Sequence, residues 1–475
     1  MYSQSQIDPV VSFRNTQNET VRGTLVNLQK NSLVMEIYNP YSILQVSEVL
    51  NELTVRIGTK HAYVGKAVVI SMVNTGLTAI VSVGLLDDWS ELSNVVLLKG
   101  EIGKEASNFV DGWNERRLIR RDYQIVVNDL RAYLSEVARW VEQVDISDSL
   151  PKENGRLRAD VFDELATPLM RRTQDYLRKL EYEAAQVDQE HAPAHRAFAQ
   201  AALHPLIMRA PFVFRTFTKP LGYAGDYQMV NQLMDDPRQG PSTYFQIVNA
   251  VFLQAAVAIA HRNRIDILVD FLKQCADQAR AAGRTFRILN VACGPAIEIQ
   301  RFMQTYPDPG ALSFELLDFS AETLDWTRDR LASIMESNGK PVQIDYVQDS
   351  VHNLLKRRNG ALPEQAQNQA QDQNQDQAGS YDAVYCAGLF DYLSDKVCAR
   401  LMTHFASRVR PGGRLFVTNV HSVNPSRFGM EHLLEWHLIY RDEAGIEALL
   451  PEQARQRKVY VDATGVNLFA EMSIH

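Results

Sequence analysis

Residues Arg287 to Ser320 read RILNVACGPAIEIQRFMQTYPDPGALSFELLDFS, and this stretch decides the fold of the C-terminal part. An apolar strand, Arg287 to Val291, runs into the small residues Ala292, Cys293, Gly294, Pro295 and Ala296. An amphipathic helix follows, then a second apolar strand ending on Asp318. In a doubly wound α/β sheet this layout puts a tight turn under a ligand. It also sets the Asp318 carboxylate where it can accept both hydroxyls of a ribose. Small residues in the turn let backbone approach the ligand closely.

The same residues weigh against a dinucleotide. A pyrophosphate needs several glycines and a helix N-terminus rich in N–H donors, whereas here only Gly294 is glycine and Pro295 has no N–H. An adenosine without phosphates asks less, so the expected cofactor is S-adenosylmethionine. A turn of this kind also occurs in α/β units that bind nothing.

The later sequence extends the pattern. A helix at Ala321 to Asn338 precedes a third strand, Val342 to Val347, whose polar exit Gln348, Asp349 and Ser350 faces an adenine edge in this reading. Tyr381 to Cys386 is a fourth strand leading into Ala387, Gly388, Leu389 and Phe390, a small and then apolar shelf. A helix from Asp395 to Val409 is expected to stop at Arg410-Pro411-Gly412-Gly413, before a fifth strand from Arg414 to Asn419. Lys458 to Asp462 and Asn467 to Ile474 close the chain as a hairpin. Alternating strands and helices with a terminal hairpin predict a mostly parallel sheet with an antiparallel edge.

In this order the motifs, from about Arg264 to His475, resemble a class I S-adenosylmethionine-dependent methyltransferase, a seven-stranded Rossmann-like fold. That family's first motif, acidic-x-Gly-x-Gly-x-Gly, aligns with Asn290, Ala292, Gly294 and Ala296, so this chain departs from it at three of four positions. The resemblance implies that these four residues hold the methionine part of the cofactor and that Asp318 holds its ribose. It further implies that Asp349 and Ser350 meet the adenine, and that Cys386, Ala387 and Phe390 border the methyl group.

At 475 residues the chain is long enough for two or three cores. Its net charge of -8 offers no general attraction for nucleic acid. Four cysteines without metal-like or disulfide-like spacing suit a reducing, cytoplasmic setting. The N-terminus does not read as a signal peptide, and the apolar helix around Ile247 to Ala260 is too short to span a bilayer.

Near the N-terminus, Arg22 to Leu28, Ser32 to Tyr38, Leu53 to Ile57, His61 to Ile70 and Leu77 to Leu85 are β-rich runs, predicting a small barrel over residues 1–105. The barrel resembles a PilZ domain, a family that often binds cyclic di-GMP, but its paired arginines and its Asp/Asn-x-Ser-x-x-Gly turn are not met. A structural or protein-docking barrel is the favoured reading. Residues 106–260 read as helical, from Trp113 to Gln143 and from Arg156 to Ala185. Arg116, Arg117, Arg120 and Arg121 there resemble an anion site, but neighbouring acidic residues favour a solvated or salt-bridged helix face.

Within that region Phe214 to Met229, FRTFTKPLGYAGDYQM, forms a Gly-, Tyr- and Asp-dense turn that reads either as a ligand-closing lid carrying Tyr223 and Asp226 or, more simply, as Asp226 capping the next helix. The element resembles a segment of bacterial proteins tied to 3-hydroxy fatty acid methyl ester biosynthesis. Residues 261–475 form the cofactor domain, with a Gln-rich insertion at 360–380 read as a surface loop.

Methyl transfer needs alignment and water exclusion more than a metal, and no metal-ligand spacing is present. The segment Val420 to Tyr440 carries His421, the leading candidate for orienting or deprotonating an acceptor. The chain therefore reads as a multidomain protein, with a β-barrel, a helical cap and an α/β methyltransferase fold acting on a small molecule. Two other readings stand beside it: a regulatory binding protein with a degenerate fold, and an enzyme transferring the aminocarboxypropyl group of the same cofactor.

Overall fold

The computed structural model describes residues 10–29, 31–38, 44–57, 60–74, 78–87, 119–307, 311–339, 341–358 and 379–475. In chain order the strands of the N-terminal part are β1 (Val10–Arg14), β2 (Thr20–Gln29), β3 (Ser32–Tyr38), β4 (Val49–Ile57), β5 (Lys60–Asn74) and β6 (Thr78–Leu85). Helix α1 (Arg121–Ser147), a two-rung ladder of β7 (Lys152–Glu153) and β8 (Arg156–Leu157), α2 (Ala159–Ala184), α3 (Ala192–Ile207), α4 (Pro211–Thr218), α5 (Tyr227–Met234), α6 (Thr243–Leu253) and α7 (Ala256–Ala281) follow. The C-terminal part runs β9 (Phe286–Val291), α8 (Ile297–Thr305), β10 (Leu312–Asp318), α9 (Ala321–Asn338), β11 (Gln343–Gln348), α10 (Val351–Arg358), β12 (Tyr381–Cys386) and α11 (Asp395–Arg408). It ends with β13 (Val409–Val420), α12 (Arg427–Leu434), α13 (Glu443–Glu447), β14 (Ala454–Val461) and β15 (Asn467–Ile474).

Two compact units form among the described residues. The first gathers Met1–Ala224, Asp236–Leu253 and Pro425–His437; the second gathers Gly225–Asp235, Gln254–Asn424 and Leu438–His475.

In the first unit β1 to β6 close into a barrel of order β1-β2-β3-β6-β5-β4, with every neighbouring pair antiparallel. Period-two alternation explains the closure: Leu33, Met35 and Ile37 on β3 and Ala79, Val81 and Val83 on β6 all turn inward and are buried. The sequence reading missed β1, a five-residue strand whose inward residues are Val11 and Phe13. Helix α1 buries Tyr123, Val127, Leu130, Leu134, Val137 and Val141, an apolar stripe at helical spacing. Among the described residues it begins at Arg121, later than the expected start at Trp113; residues 113–118, with Arg116 and Arg117, lie outside the described residues. Arg120 pairs with Glu183 at 3.4 Å, as expected of a salt-bridged face. Helix α12 packs on α2 and α3, and its first turn is held by the Glu181 carboxylate, which accepts from Phe428 N at 2.8 Å and Gly429 N at 2.7 Å.

The second unit is a seven-stranded sheet of order β11-β10-β9-β12-β13-β15-β14. Strands β9 to β13 pair in parallel, and β15 is antiparallel to both β13 and β14. The fully buried strand β12, YDAVYC, is central and covered on both faces, and its one charged residue, Asp382, is paired with Arg284. Most expected strand limits hold to within a residue. The exceptions are β14, which starts at Ala454 rather than Lys458, and β13, which starts at Val409 rather than Arg414: Arg410 to Gly413 are taken up in an irregularity of the β12–β13 register instead of a free turn. Residues 360–378 of the Gln-rich insertion lie outside the described residues. No single helix among the described residues is long and apolar enough to cross a membrane.

Candidate active site

The order of strands reverses direction between β9 and β12, the switch point at whose carboxyl strand ends open α/β sheets bind their ligands. The loop after β9 turns through three left-handed residues, Ala292 (φ 55°), Gly294 (φ 52°) and Ala296 (φ 48°). These are the three glycine positions of the expected motif. The two alanines therefore adopt the glycine conformation rather than abandon it, at a cost of about 1–2 kcal/mol each.

What holds the turn is Asp318 at the end of β10. Its Oδ2 accepts from Gly294 N and its Oδ1 from Ser320 N, both at 3.0 Å. The carboxylate is buried; burial raises its pKa, and the backbone N–H bonds oppose that rise. Thr327 Oγ1 donates to Gly294 O at 2.9 Å and Gln300 Nε2 to Pro295 O at 2.7 Å, fixing the loop from two further helices. Asp349 N donates to Asp318 O at 3.0 Å, so the exit of β11 lies beside that of β10. There Asp349 Oδ1 accepts from Ser350 N at 2.8 Å and Asn353 Nδ2 at 3.0 Å. Cys386 and Phe390 at the exit of β12 are fully buried, and Ala387 is half-buried.

Asn290, at the end of β9, bonds to the helix that follows the turn. Its Nδ2 donates to Glu298 Oε1 at 3.0 Å, and Tyr385 Oη donates to the same oxygen at 2.8 Å. Burial raises the pKa of Glu298. Facing this group is a residue the sequence reading did not single out. Arg264 on α7 is 7% exposed and has neither a hydrogen bond nor an ion pair among the described residues. Its Nη1 lies 3.0 Å from where a β-carbon on Gly388 would stand, so it sits against the exit of β12. Burial lowers its pKa, and the charges of Asp391 and Glu298 work against that. Burial likewise lifts Asp391 to about 6, opposed by the hydrogen bond from Val420 N and by the charges of Arg264 and Arg441. A buried guanidinium without an acceptor is costly unless a ligand supplies one.

The remaining expected residues are placed as follows. Asp226 is the N-cap of α5, accepting from Met229 N at 2.9 Å, which is the simpler of the two readings of the turn. Tyr227 donates to Glu322 Oε1 at 2.9 Å, and a β-carbon on Gly225 would lie 3.1 Å from Tyr392 Oη. Tyr223 is half-buried. His421 follows directly on β13: its Nδ1 accepts from Val423 N at 3.1 Å, which leaves Nε2 to donate to Glu443 at 3.0 Å. Of its segment, Pro425 to His437 belongs to the first unit. Among the described residues no group of three or more His, Cys, Asp and Glu side chains is placed to hold a metal.

No protein-family model and no curated protein matches the chain. Among solved structures, the chain is similar in fold to a candidate exported protein of Bordetella parapertussis, at 16% identity over 55% of this chain and 86% of that one, with a TM-score of 0.42. It is also similar to magnesium protoporphyrin IX methyltransferase of Synechocystis with bound S-adenosylhomocysteine (13% identity, 46% and 85% covered, TM-score 0.32). A third likeness is the N-methyltransferase NodS of Bradyrhizobium japonicum, also with S-adenosylhomocysteine (13% identity, 43% and 86% covered, TM-score 0.28).

Proposed function

We propose that the second unit is an S-adenosylmethionine-dependent methyltransferase acting on a small-molecule acceptor. The observation that carries this reading is the glycine-like turn Ala292 to Ala296, bound through Gly294 N to the Asp318 carboxylate at the switch point of the sheet. The donor set fits an adenosyl group with an amino-acid tail. Asp318 retains lone pairs for a ribose diol, Asp349 and Ser350 stand at the next strand exit for the adenine, and Arg264 takes the tail carboxylate. When bound, the cofactor supplies a sulfonium-activated methyl group.

The chain's own contribution is positioning and exclusion of water. Cys386, Ala387 and Phe390 form the apolar border of the reacting centre. Asp226 sets the start of α5, and with it the turn carrying Tyr223 and Tyr227. His421, oriented by Glu443, aligns the acceptor; its lone pair at Nδ1 becomes a base only when it exchanges Val423 N–H for an acceptor proton. We read the acceptor as a hydroxyl- or carboxyl-bearing molecule with an apolar body, of the hydroxy or fatty acid class, and the barrel as a PilZ-like docking module.

Calorimetry with S-adenosylhomocysteine tests the cofactor assignment, with saturable binding expected. Incubation with S-adenosylmethionine and a metabolite pool then tests the reaction. Release of S-adenosylhomocysteine supports methyl transfer, release of methylthioadenosine shows aminocarboxypropyl transfer, and binding of neither adenosyl ligand refutes the assignment.

A further inference from the structure

The chain leaves the first unit for the second between His437 and Leu438, and residues 435–440 run without regular structure from the end of α12. Alternate residues of this strap carry backbone bonds, as along the edge of a strand. At His437 both backbone groups meet one side chain: the Ser47 hydroxyl accepts from His437 N at 2.5 Å and donates to His437 O at 2.8 Å. Ile439 N donates to Asp391 O at 2.6 Å, and Ile439 O accepts from Asn419 Nδ2 at 3.0 Å. Arg441 then holds the loop after β12, its Nη1 donating to Phe390 O at 2.8 Å and its Nη2 to Leu393 O at 2.7 Å.

Ser47 is placed for this by the barrel. It lies in the segment before β4, is fully buried, and its N donates to Val69 O on β5 at 2.7 Å. The neighbouring Glu48 carboxylate, also buried, accepts from Thr16 N at 2.9 Å, Thr16 Oγ1 at 2.8 Å and Gln45 N at 2.8 Å, which fixes the segment on both sides of Ser47. Connecting segments ordinarily lie at the surface; this one is buried and spends its polar groups on other parts of the chain. Val49 N donates to Gly222 O at 2.7 Å, so the same segment also grips the first residue of the GYAGD turn.

Only Leu438 stands between the residue held by Ser47 and the residue held to Asp391, a span of roughly 7 Å of extended chain. With two soft dihedrals per residue, so short a span absorbs little of any displacement of His437. We infer that Ser47 is a positioning residue of the candidate site: through residues 437–441 the barrel sets the loop Gly388 to Leu393. Whatever shifts the segment Gln45 to Val49 then shifts that loop, which makes the barrel an input to the site. That the loop borders a reacting centre rests on the function proposed above; the strap itself does not.

Ser47→Gly in the full chain removes the hydroxyl and keeps the backbone, since Ser47 sits at φ 63°, where glycine is unstrained. Hydrogen exchange read by mass spectrometry reports on the strap without any cofactor. Peptides covering 437–441 and 388–393 should exchange at least tenfold faster in Ser47→Gly, with a melting temperature near that of the wild type. Met35→Ala, which opens a cavity in the barrel core, controls for general loosening. It should lower the melting temperature and leave both peptides at the wild-type rate. Affinity for S-adenosylhomocysteine should fall at least fivefold in Ser47→Gly and hold in Met35→Ala. Unchanged exchange at 388–393, equal acceleration in the two variants, or unchanged S-adenosylhomocysteine affinity in Ser47→Gly overturns the inference. A wild-type chain that binds no adenosyl ligand refutes the cofactor assignment instead, and exchange alone then decides the strap.

Discussion

Replacing Asp318 by Asn separates two roles that the structure combines in one carboxylate. Both oxygens accept backbone N–H groups, from Gly294 and Ser320. An amide supplies one acceptor oxygen, so one of those N–H groups is left facing an NH2. A hydrogen bond to a charged group is worth about 1.5–3 kcal/mol, and that sets the upper limit of the stability loss. The loss is smaller in practice, because the neutral amide also escapes the burial that raises the pKa of Asp318. Donor binding has no such compensation. A ribose diol loses a charged acceptor outright, so affinity for S-adenosylhomocysteine should fall by about 1.5–3 kcal/mol, roughly ten- to 150-fold. The Asp318→Ala variant is a poorer choice than the sequence alone implies, since it releases both N–H groups of the turn at once.

The assay is calorimetry beside denaturant melting. A control comes from the opposite end of the sheet, where the buried Asp382 carboxylate accepts from Arg284 Nη1 at 2.5 Å and Arg287 N at 2.9 Å. Asp382→Asn should destabilise by about 1.5–3 kcal/mol and leave donor affinity alone. A folded Asp318→Asn protein that binds S-adenosylhomocysteine as tightly as wild type refutes the ribose assignment. Equal affinity losses in the two variants would show that the Asp318 effect is only loosening of the sheet.

Ala292→Gly should raise stability by up to about 1 kcal/mol, because relief of left-handed strain exceeds the added glycine entropy; a melting temperature unchanged or lowered would refute the strain. His261 is buried with Nδ1 donating to Val257 O at 2.8 Å, and burial followed by the Arg264 charge lowers its pKa from 6.5 to about 3. The folded state thus excludes a proton that the unfolded chain takes up. Its stability contribution is complete above pH 6.5 and drains away as pH falls toward 3, on the order of 3–5 kcal/mol at full extent. His261→Gln should flatten that part of the stability profile, and an unchanged slope between pH 6.5 and 4 would refute a buried neutral imidazole. Limited proteolysis should show protection across Gly222 to Tyr227 when S-adenosylhomocysteine binds, and identical cleavage with and without it would remove the lid.

How much of this was legible follows from where each feature draws its energy. Strands β9 to β12 of the second unit read to within a residue because each is a β-rich run whose polar or small exit is local sequence, and the same held for β3 and β6 of the barrel. Strand β1 was missed because five residues beyond a polar N-terminus carry too little periodicity. The extension of β13 back to Val409 was missed because Pro and Gly signal a stop whether the chain turns away or bulges inside a ladder. The first motif draws its support from farther away. Two alanines stand in place of glycine, yet the backbone keeps the glycine conformation, because Asp318, Thr327 and Gln300 hold it from outside the loop. No local rule reports that support.

Arg264 lay within reach of sequence reasoning and was passed over. It stands four residues after Ala260 and four before Leu268, on the buried stripe of α7 rather than on its charged face. An arginine in phase with an apolar stripe is either misplaced or waiting for an anion. The fold puts it against Gly388, at the exit of the central strand, which is where the proposed cofactor tail would bring a carboxylate.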